Sequence, residues 1–170
     1  AICTDEYLQT SVPGVYAVGD CNGRLMLAHT AYREAEAAIH HIRHIDDRMD
    51  YSCIPSVIYT TPEVAFVGET EESAQAKGLK IKTVRVPMLF SGRYAAETPR
   101  GGGFVKVLYD EEHDCLAGVH IVGTYASEMI YGAAMMLSCR MTGEQLTRFV
   151  FPHPTVGETL REAIVEAVGI

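Results

Sequence analysis

FVKVLYDEEHDCLAGVHIV, residues 104–122, is the stretch that decides the fold. Its two ends, residues 104–109 and 115–122, are rich in strand-forming residues, and a short polar turn separates them. Two strands joined by so short a connection pair antiparallel, because a parallel pair needs a long crossover. The stretch therefore predicts a β-hairpin, and with it an antiparallel sheet.

Further strands and helices are predicted on both sides of this hairpin. Thr70 opens a helix that Gly78 ends, whereas residues 91–100 are predicted to form a loop. The mixture indicates an α+β fold in which an antiparallel sheet is flanked by helices. The other predicted strands are residues 54–59, 64–67 and 79–86, and the predicted helices are residues 70–77, 127–137, 142–149 and 159–168.

The predicted helix 127–137 is apolar on nearly all of its sides. A helix of this kind must be covered all round, and a sheet covers only one of its faces. We therefore expect a second copy of the chain to cover the other face, which predicts a homodimer with a large two-fold interface.

The first 50 residues follow a different pattern. After a Pro-Gly turn, residues 15–18 form a short apolar run, predicted to be a buried strand that ends in Gly19 and Asp20. In open α/β sheets ligands bind beyond the carboxyl ends of strands, where a carboxylate accepts hydroxyls of a ribose-like chain. An ordinary turn explains Gly19 and Asp20 equally well.

A long helix is predicted for residues 25–45, and its first turn offers backbone N–H groups to an electron-rich heteroatom of a cofactor. Arg33, Glu34, Glu36 and His40 lie away from its predicted apolar side. The charged residues 46–50 end this segment and predict a domain boundary between residues 50 and 51. The apolar side comprises Leu27, Ala31, Ala35, Ala38, Ile42 and Ile45.

Composition and charge exclude several classes of protein. A formal net charge of −8 argues against a nucleic-acid partner, which requires a basic surface. Residues 129–136, the longest apolar-leaning stretch, are far shorter than the roughly 20 residues of a membrane span. We therefore expect no membrane association. The five cysteines show no disulfide or zinc spacing, so we also expect a cytoplasmic protein. No ligand set completes His40 and His44, so no metal site is predicted.

The histidine at position 153 lies between two prolines, in Phe151-Pro152-His153-Pro154-Thr155-Val156-Gly157-Glu158. The prolines keep this stretch out of the helical conformation. Thr155 is the predicted N-cap of the last helix, and Glu158 completes a capping box whose carboxylate folds back. A carboxylate beside an imidazole orients a general base, whereas a loop histidine beside an ordinary capping glutamate is the alternative.

Several spaced motifs together resemble the FAD-dependent pyridine nucleotide–disulfide oxidoreductases, and within that family the dihydrolipoamide dehydrogenases. The resemblance covers essentially the whole chain. The motifs are T-x-x-P-G-V-Y-A-V-G-D at residues 10–20, M-L-A-H-x-A at 26–31, P-S-V-I-Y-T-x-P-E-V-A at 55–65, A-G-x-H-I-V-G at 117–123 and H-P-T-x-x-E at 153–158.

The resemblance implies two domains and a set of functional residues. Residues 1–50 would be the C-terminal segment of an α/β FAD-binding domain, and residues 51–170 the interface or dimerisation domain. His153 and Glu158 would be catalytic. The residues expected to bind FAD are Gly19, Asp20, Met26, Leu27, Ala28, His29, His153 and Pro154.

The activity that the resemblance implies is oxidation of protein-bound dihydrolipoamide, with reduction of NAD through a redox disulfide and FAD. The partner would be the lipoyl domain of a 2-oxoacid dehydrogenase or glycine cleavage complex. These 170 residues contain no C-x-x-x-x-C pair and no dinucleotide fingerprint. We therefore expect a fragment that has an incomplete FAD site, lacks the NAD site and is inactive alone. The alternatives are a glutathione- or mercuric-reductase-like enzyme, or a dimerisation module without chemistry.

Two structural features follow from this resemblance as predictions. The His153–Pro154 peptide is expected to be cis, with its carbonyl available to the flavin of the other subunit. A carboxylate oxygen of Glu158 is expected within hydrogen-bond distance of a His153 ring nitrogen, beyond any capping role.

Overall fold

The computed structural model describes residues 1–169 of the chain. The chain divides into two compact units, Ala1–Ile54 and Pro55–Ile170. The boundary predicted from the charged break lies a few residues before this division.

The first unit contains one long helix, α1 (Ala28–Ile42), preceded by a reversing loop and a single 3₁₀ turn (Gly19–Asn22). Helix α1 is shorter at both ends than the predicted helix 25–45. The predicted strand at residues 15–18 is wrong, because Tyr16 pairs with Gln9 alone. A strand needs a neighbouring row of backbone groups, and the described part of this unit provides only that one bridge.

The buried face of α1 also differs from the prediction. Ile42 and Ile45 are exposed, whereas Glu34 is completely buried at 0% exposure. Its carboxylate accepts hydrogen bonds from the Gly19 N–H at 2.5 Å and from the Tyr51 hydroxyl at 2.7 Å. Such partners offset the cost of burying a charged group, which a hydrophobicity pattern cannot register. The buried residues of α1 are Thr30, Glu34, Ala37 and Ala38.

The second unit contains a five-stranded sheet in the order β1-β2-β5-β4-β3, with every neighbouring pair antiparallel. The predicted hairpin is confirmed as the pair β4–β5, in which Phe104 lies opposite Val122. The strands are β1 (Ser56–Ile58), β2 (Val64–Gly68), β3 (Ile81–Pro87), β4 (Phe104–Asp110) and β5 (Cys115–Val122).

Within residues 55–169, five α-helices accompany the sheet, which confirms the predicted α+β architecture. Helices α4 and α6 are the longest; α4 packs on β2 and β5, and α6 packs on β3 and β4. None of the helices in residues 1–169 has the length and apolar character needed to cross a membrane. The helices are α2 (Glu71–Ala76), α3 (Gly92–Glu97), α4 (Ala126–Ser138), α5 (Gly143–Arg148) and α6 (Glu158–Val168).

One face of the sheet forms the core of this unit. Its side chains lie in two rows that cross β2, β5, β4 and β3, and all of them are buried. Branched side chains suit these positions because they pack against cross-strand neighbours. The rows are Ala65–Ile121–Val105–Val86 and Val67–Val119–Val107–Val84.

Helix α4 buries one side and exposes the other. Ile130, Ala133 and Leu137 are buried, whereas Tyr131 and Met135, one turn apart, are each 62% exposed. The sheet therefore covers one side of this helix, as predicted, and leaves an apolar outer face.

Helix α3 lies within the segment that was predicted to be a loop. Ser91 caps it, because the Ser91 hydroxyl accepts a hydrogen bond from the Tyr94 N–H at 3.2 Å. Tyr94 is buried, and its hydroxyl donates to the Gly102 carbonyl at 2.9 Å. The loop prediction at residues 91–100 is therefore wrong over Gly92–Glu97, where a capping serine and buried tyrosine stabilise one and a half turns.

Candidate active site around His153

The segment that carries His153 is extended and turned, as its prolines predict. The His153–Pro154 peptide is cis, which confirms the prediction. The Thr155 hydroxyl donates to the Pro152 carbonyl at 2.7 Å and closes the turn around His153. Beyond the turn, Val156 is buried and anchors the chain where it enters α6.

His153 and Glu158 form a hydrogen-bonded pair, as predicted. The distance from His153 Nδ1 to Glu158 Oε1 is 2.7 Å. An ionised carboxylate can only accept, so Nδ1 carries the hydrogen and, in the neutral imidazole, Nε2 keeps its lone pair. The His153 side chain is 80% exposed and that of Glu158 is 25% exposed. The pair therefore presents an oriented proton acceptor to the surroundings.

The predicted capping box is only half formed. Glu158 Oε2 accepts from the Thr155 N–H at 2.9 Å, which is the backward bond of such a box. The N-cap of α6 is Gly157 rather than Thr155, and no side chain caps the helix. Thr155 cannot serve as N-cap because its hydroxyl is turned towards Pro152. The Glu158 carboxylate thus accepts hydrogen bonds from both the loop backbone and the imidazole, so its role is not limited to capping the helix.

The apolar face of α6 fixes the position of Glu158. Leu160, Ala163 and Ile164 are buried on the sheet, and Val168 is half-buried. Val156, Leu160, Ile164 and Val168 recur every four residues, which places them on one side of the helix. A packed helix holds the first-turn carboxylate in place, so only the imidazole of the pair projects from the surface.

Both hydrogen bonds to Glu158 stabilise its charged form. The bond from His153, followed by the bond from the Thr155 N–H, holds the pKa of the Glu158 carboxyl below its ordinary value. A carboxyl whose pKa is lowered by folding stabilises the fold above its unfolded pKa, and that contribution is lost as the pH falls through the lowered value.

We therefore expect the pair to persist below the ordinary glutamate pKa and to break in more acidic solution. The pH titration of the Glu158 carboxyl carbon by ¹³C NMR measures this. In His153→Ala the Glu158 midpoint should move to higher pH, because the largest stabilising contact is lost. Identical midpoints in the two proteins would contradict the assignment.

The residues expected to face a flavin lie in the first unit, whereas His153 and Pro154 lie in the second. Asp20 is exposed and is the second residue of the 3₁₀ turn. Gly19 has φ +75°, and a Cβ there would lie 3.2 Å from the Ala31 Cβ, so glycine permits the close approach of turn and helix.

The start of α1 fits an electron-rich group. Its N-cap is Leu27, and no side chain caps the exposed backbone donors at Ala28. Met26 and His29 flank this end and are exposed. An exposed carboxylate and an uncapped helix N-terminus match a ligand that combines hydroxyl groups with a heteroaromatic acceptor, as FAD does.

Ser91 and Glu34 are buried polar residues that contact the candidate site and were not identified from the sequence. Ser91 contacts the His153 segment from 64 residues away, since its hydroxyl donates to the Thr155 carbonyl at 2.9 Å. Glu34 links α1 to Gly19. A signal for Glu34 is its four-residue spacing from Thr30 and Ala38, which places it beside Ala38 of the predicted apolar side.

The histidines of α1 have other partners. His40 Nδ1 lies 2.6 Å from Asp47 Oδ2, and His41 Nδ1 lies 2.9 Å from the Tyr16 hydroxyl. Within residues 1–169, no group of three or more His, Cys, Asp or Glu side chains is arranged to hold a metal ion.

Comparisons with known proteins show which family the chain is similar to. The sequence family described as "Pyridine nucleotide-disulphide oxidoreductase, dimerisation domain" matches residues 54–164, and "Pyridine nucleotide-disulphide oxidoreductase" matches residues 1–35. The mitochondrial dihydrolipoyl dehydrogenase of Caenorhabditis elegans is 39% identical over 96% of this chain and 33% of its own length. The dihydrolipoyl dehydrogenase of Cupriavidus necator is 40% identical over 94% of this chain and 33% of its own length.

Among solved structures, LpdA from Mycobacterium tuberculosis superposes with a TM-score of 0.90 at 26% identity, over 97% of this chain and 36% of that chain. The chain thus spans about a third of the length of the relatives it matches. The superposition shows that LpdA contains the same arrangement of sheet and helices. The chain belongs to the pyridine nucleotide–disulphide oxidoreductases, and residues 54–164 match the dimerisation domain of that family.

Proposed function

We propose that this chain is the C-terminal portion of a dihydrolipoamide dehydrogenase and that His153 is its general base. The observation that carries the proposal is the 2.7 Å bond from His153 Nδ1 to Glu158, which leaves Nε2 as an exposed proton acceptor. The relatives named dihydrolipoyl dehydrogenase support the choice within the family.

The proposed task of His153 is to accept a proton from the incoming dithiol. A thiol must lose its proton before it attacks a disulfide, because the thiolate is the nucleophile. Nε2 takes that proton, and the Glu158 carboxylate stabilises the imidazolium through Nδ1–H. The substrate then closes its own S–S bond and loses two electrons and two protons in all, while a disulfide of the enzyme is reduced.

The proposal places the redox disulfide and the NAD site in parts of the protein outside these 170 residues. FAD, when bound, would carry the electron pair from the reduced enzyme disulfide to NAD. Asp20 would accept the hydroxyls of its ribityl chain, and the backbone donors at Leu27 and Ala28 would face its heteroaromatic end. His153 and Pro154 would approach the flavin of the other subunit in a homodimer.

The partner we propose is a lipoyl domain of a 2-oxoacid dehydrogenase or glycine cleavage complex, which presents a dithiol on a flexible arm. We also propose a cytoplasmic location. All five cysteines of the chain are unpaired, which suits a reducing compartment.

Two preparations test the proposal together. The 170-residue chain should be colourless and inactive, because a partial FAD site forfeits the phosphate and adenine contacts that give affinity. The full-length protein should bind FAD and reduce NAD with dihydrolipoamide in a spectrophotometric assay. A yellow 170-residue chain with one bound flavin per chain would contradict the proposal of an incomplete FAD site. A full-length protein that prefers glutathione over dihydrolipoamide would contradict the proposed substrate.

A further inference from the structure

The hydroxyl of Ser91 joins helix α3 to the segment that carries His153. Ser91 is buried, at 2% exposure. Its Oγ donates to the Thr155 carbonyl at 2.9 Å and accepts from the Tyr94 N–H at 3.2 Å. A carbonyl can only accept and a backbone N–H can only donate, so both roles of the hydroxyl are fixed.

Thr155 is held at each of its polar groups. Its carbonyl accepts from Ser91, its N–H donates to Glu158 Oε2 at 2.9 Å, and its hydroxyl donates to the Pro152 carbonyl. Glu158 Oε1 then accepts from His153 Nδ1. A continuous chain of hydrogen bonds thus leads from the start of α3, through Ser91, Thr155 and Glu158, to the imidazole.

The bond from Ser91 differs from the others in its origin. Most hydrogen bonds of residues 152–158 are made within this segment or to α6. Among the described residues, the bond from Ser91 is the one that comes from another element. An N-cap serine needs only to accept from the helix backbone, and its own hydrogen is normally given to water. Here that hydrogen is buried and directed at a second segment.

Helix α3 is itself firmly placed. Tyr94, three residues after Ser91, is buried and donates its hydroxyl hydrogen to Gly102. A fixed donor limits the movement of the acceptor that it holds, whereas exposed His153 has no comparable packing of its own. The position of the imidazole therefore depends on the loop backbone.

We propose that Ser91 is a positioning residue for the His153–Glu158 pair. Its hydrogen bond to Thr155 sets the loop backbone, the backbone N–H of Thr155 sets the Glu158 carboxylate, and that carboxylate sets the imidazole. The inference rests on the proposed role of His153 as general base.

The test uses the full-length enzyme with Ser91→Ala, the nearly isosteric Ser91→Cys and the hydroxyl-retaining Ser91→Thr. We expect about a tenfold lower kcat with dihydrolipoamide for the first two, since a thiol is a weak donor and one hydrogen bond is lost. KM should change little. Electron transfer from NADH to ferricyanide, which requires no dithiol deprotonation, should stay near the wild-type rate. Ser91→Thr should restore most of the dihydrolipoamide turnover.

Thr70→Ala is the matched control. Thr70 caps α2, which like α3 has six residues, and it accepts from the Ser73 N–H at 3.1 Å without contacting the His153 segment. Thr70→Ala should lower the melting temperature about as much as Ser91→Ala does and should leave kcat unchanged. A kcat loss in Thr70→Ala equal to that in Ser91→Ala would assign the effect to general destabilisation and overturn the inference.

His153→Gln separates this inference from the proposed function. Normal dihydrolipoamide turnover in His153→Gln would reject the general base itself. Impaired turnover in His153→Gln together with normal turnover in Ser91→Ala and Ser91→Cys would reject the positioning role of Ser91 alone.

Discussion

Replacing His153 with glutamine in the full-length protein should lower turnover with dihydrolipoamide by roughly 10²–10⁴-fold, the usual effect of losing a general base. Glutamine keeps a polar side chain of similar length, but an amide does not accept a proton at neutral pH. Flavin binding should persist, because Asp20 and the start of α1 are unchanged. The measurement is steady-state kcat with dihydrolipoamide, alongside the flavin content of the purified protein.

His113→Gln is the matched control for this experiment. His113 also directs Nδ1 at a carboxylate, Asp110 Oδ2 at 2.7 Å, and its side chain is about half exposed. It lies after β4, outside the His153 segment, so turnover should stay within about twofold of wild type. Near-normal turnover in His153→Gln, or an equal loss in both variants, would contradict the proposed role.

The second large effect is expected at the outer face of α4. We predict that Met135→Glu weakens association of two subunits by roughly 10²–10³-fold, because an unpaired charge buried in an apolar interface costs several kcal/mol. Tyr131 and Met135 are exposed in the single chain, on a helix within the matched dimerisation domain. Sedimentation equilibrium over micromolar concentrations measures the change.

Met135→Leu controls for the loss of methionine itself. Leucine keeps the apolar surface and nearly the same volume, so the dimer should survive. A dimer of wild-type affinity in Met135→Glu would show that the outer face of α4 is not covered by a second copy.

The parts of the fold that sequence reasoning predicted are those with local, repeated signals. The hairpin β4–β5 joins two runs of strand-forming residues through a short polar turn, and the apolar residues of α6 recur every four residues. Helix α3 was missed although α2, which also has six residues, was predicted, because the contact from Ser91 to Thr155 that helps to hold α3 forms only in the folded chain. The strand at residues 15–18 was wrong because an apolar run indicates burial, whereas a strand also requires a neighbour.

The same distinction holds for the candidate site. His153 and Glu158 are five residues apart, so the sequence places both at the start of one helix and their pairing was predictable. Ser91 is 64 residues from Thr155, and only the folded sheet brings the two together. Glu34 was assigned to the polar side of α1 because its two partners, Gly19 and Tyr51, come from outside the helix.

The strand order has a consequence for how copies of this chain meet. Strands β1 and β3 form the two edges of the sheet, and an open edge is a template for aggregation through added strands. Strand β1 is three residues long and follows Pro55, while β3 carries Lys82 and Arg85 and ends at Pro87. Lys82 Nζ also donates to the Glu166 carbonyl at 2.7 Å, across that edge. Short length, positive charge and proline all discourage the addition of a further strand at these edges.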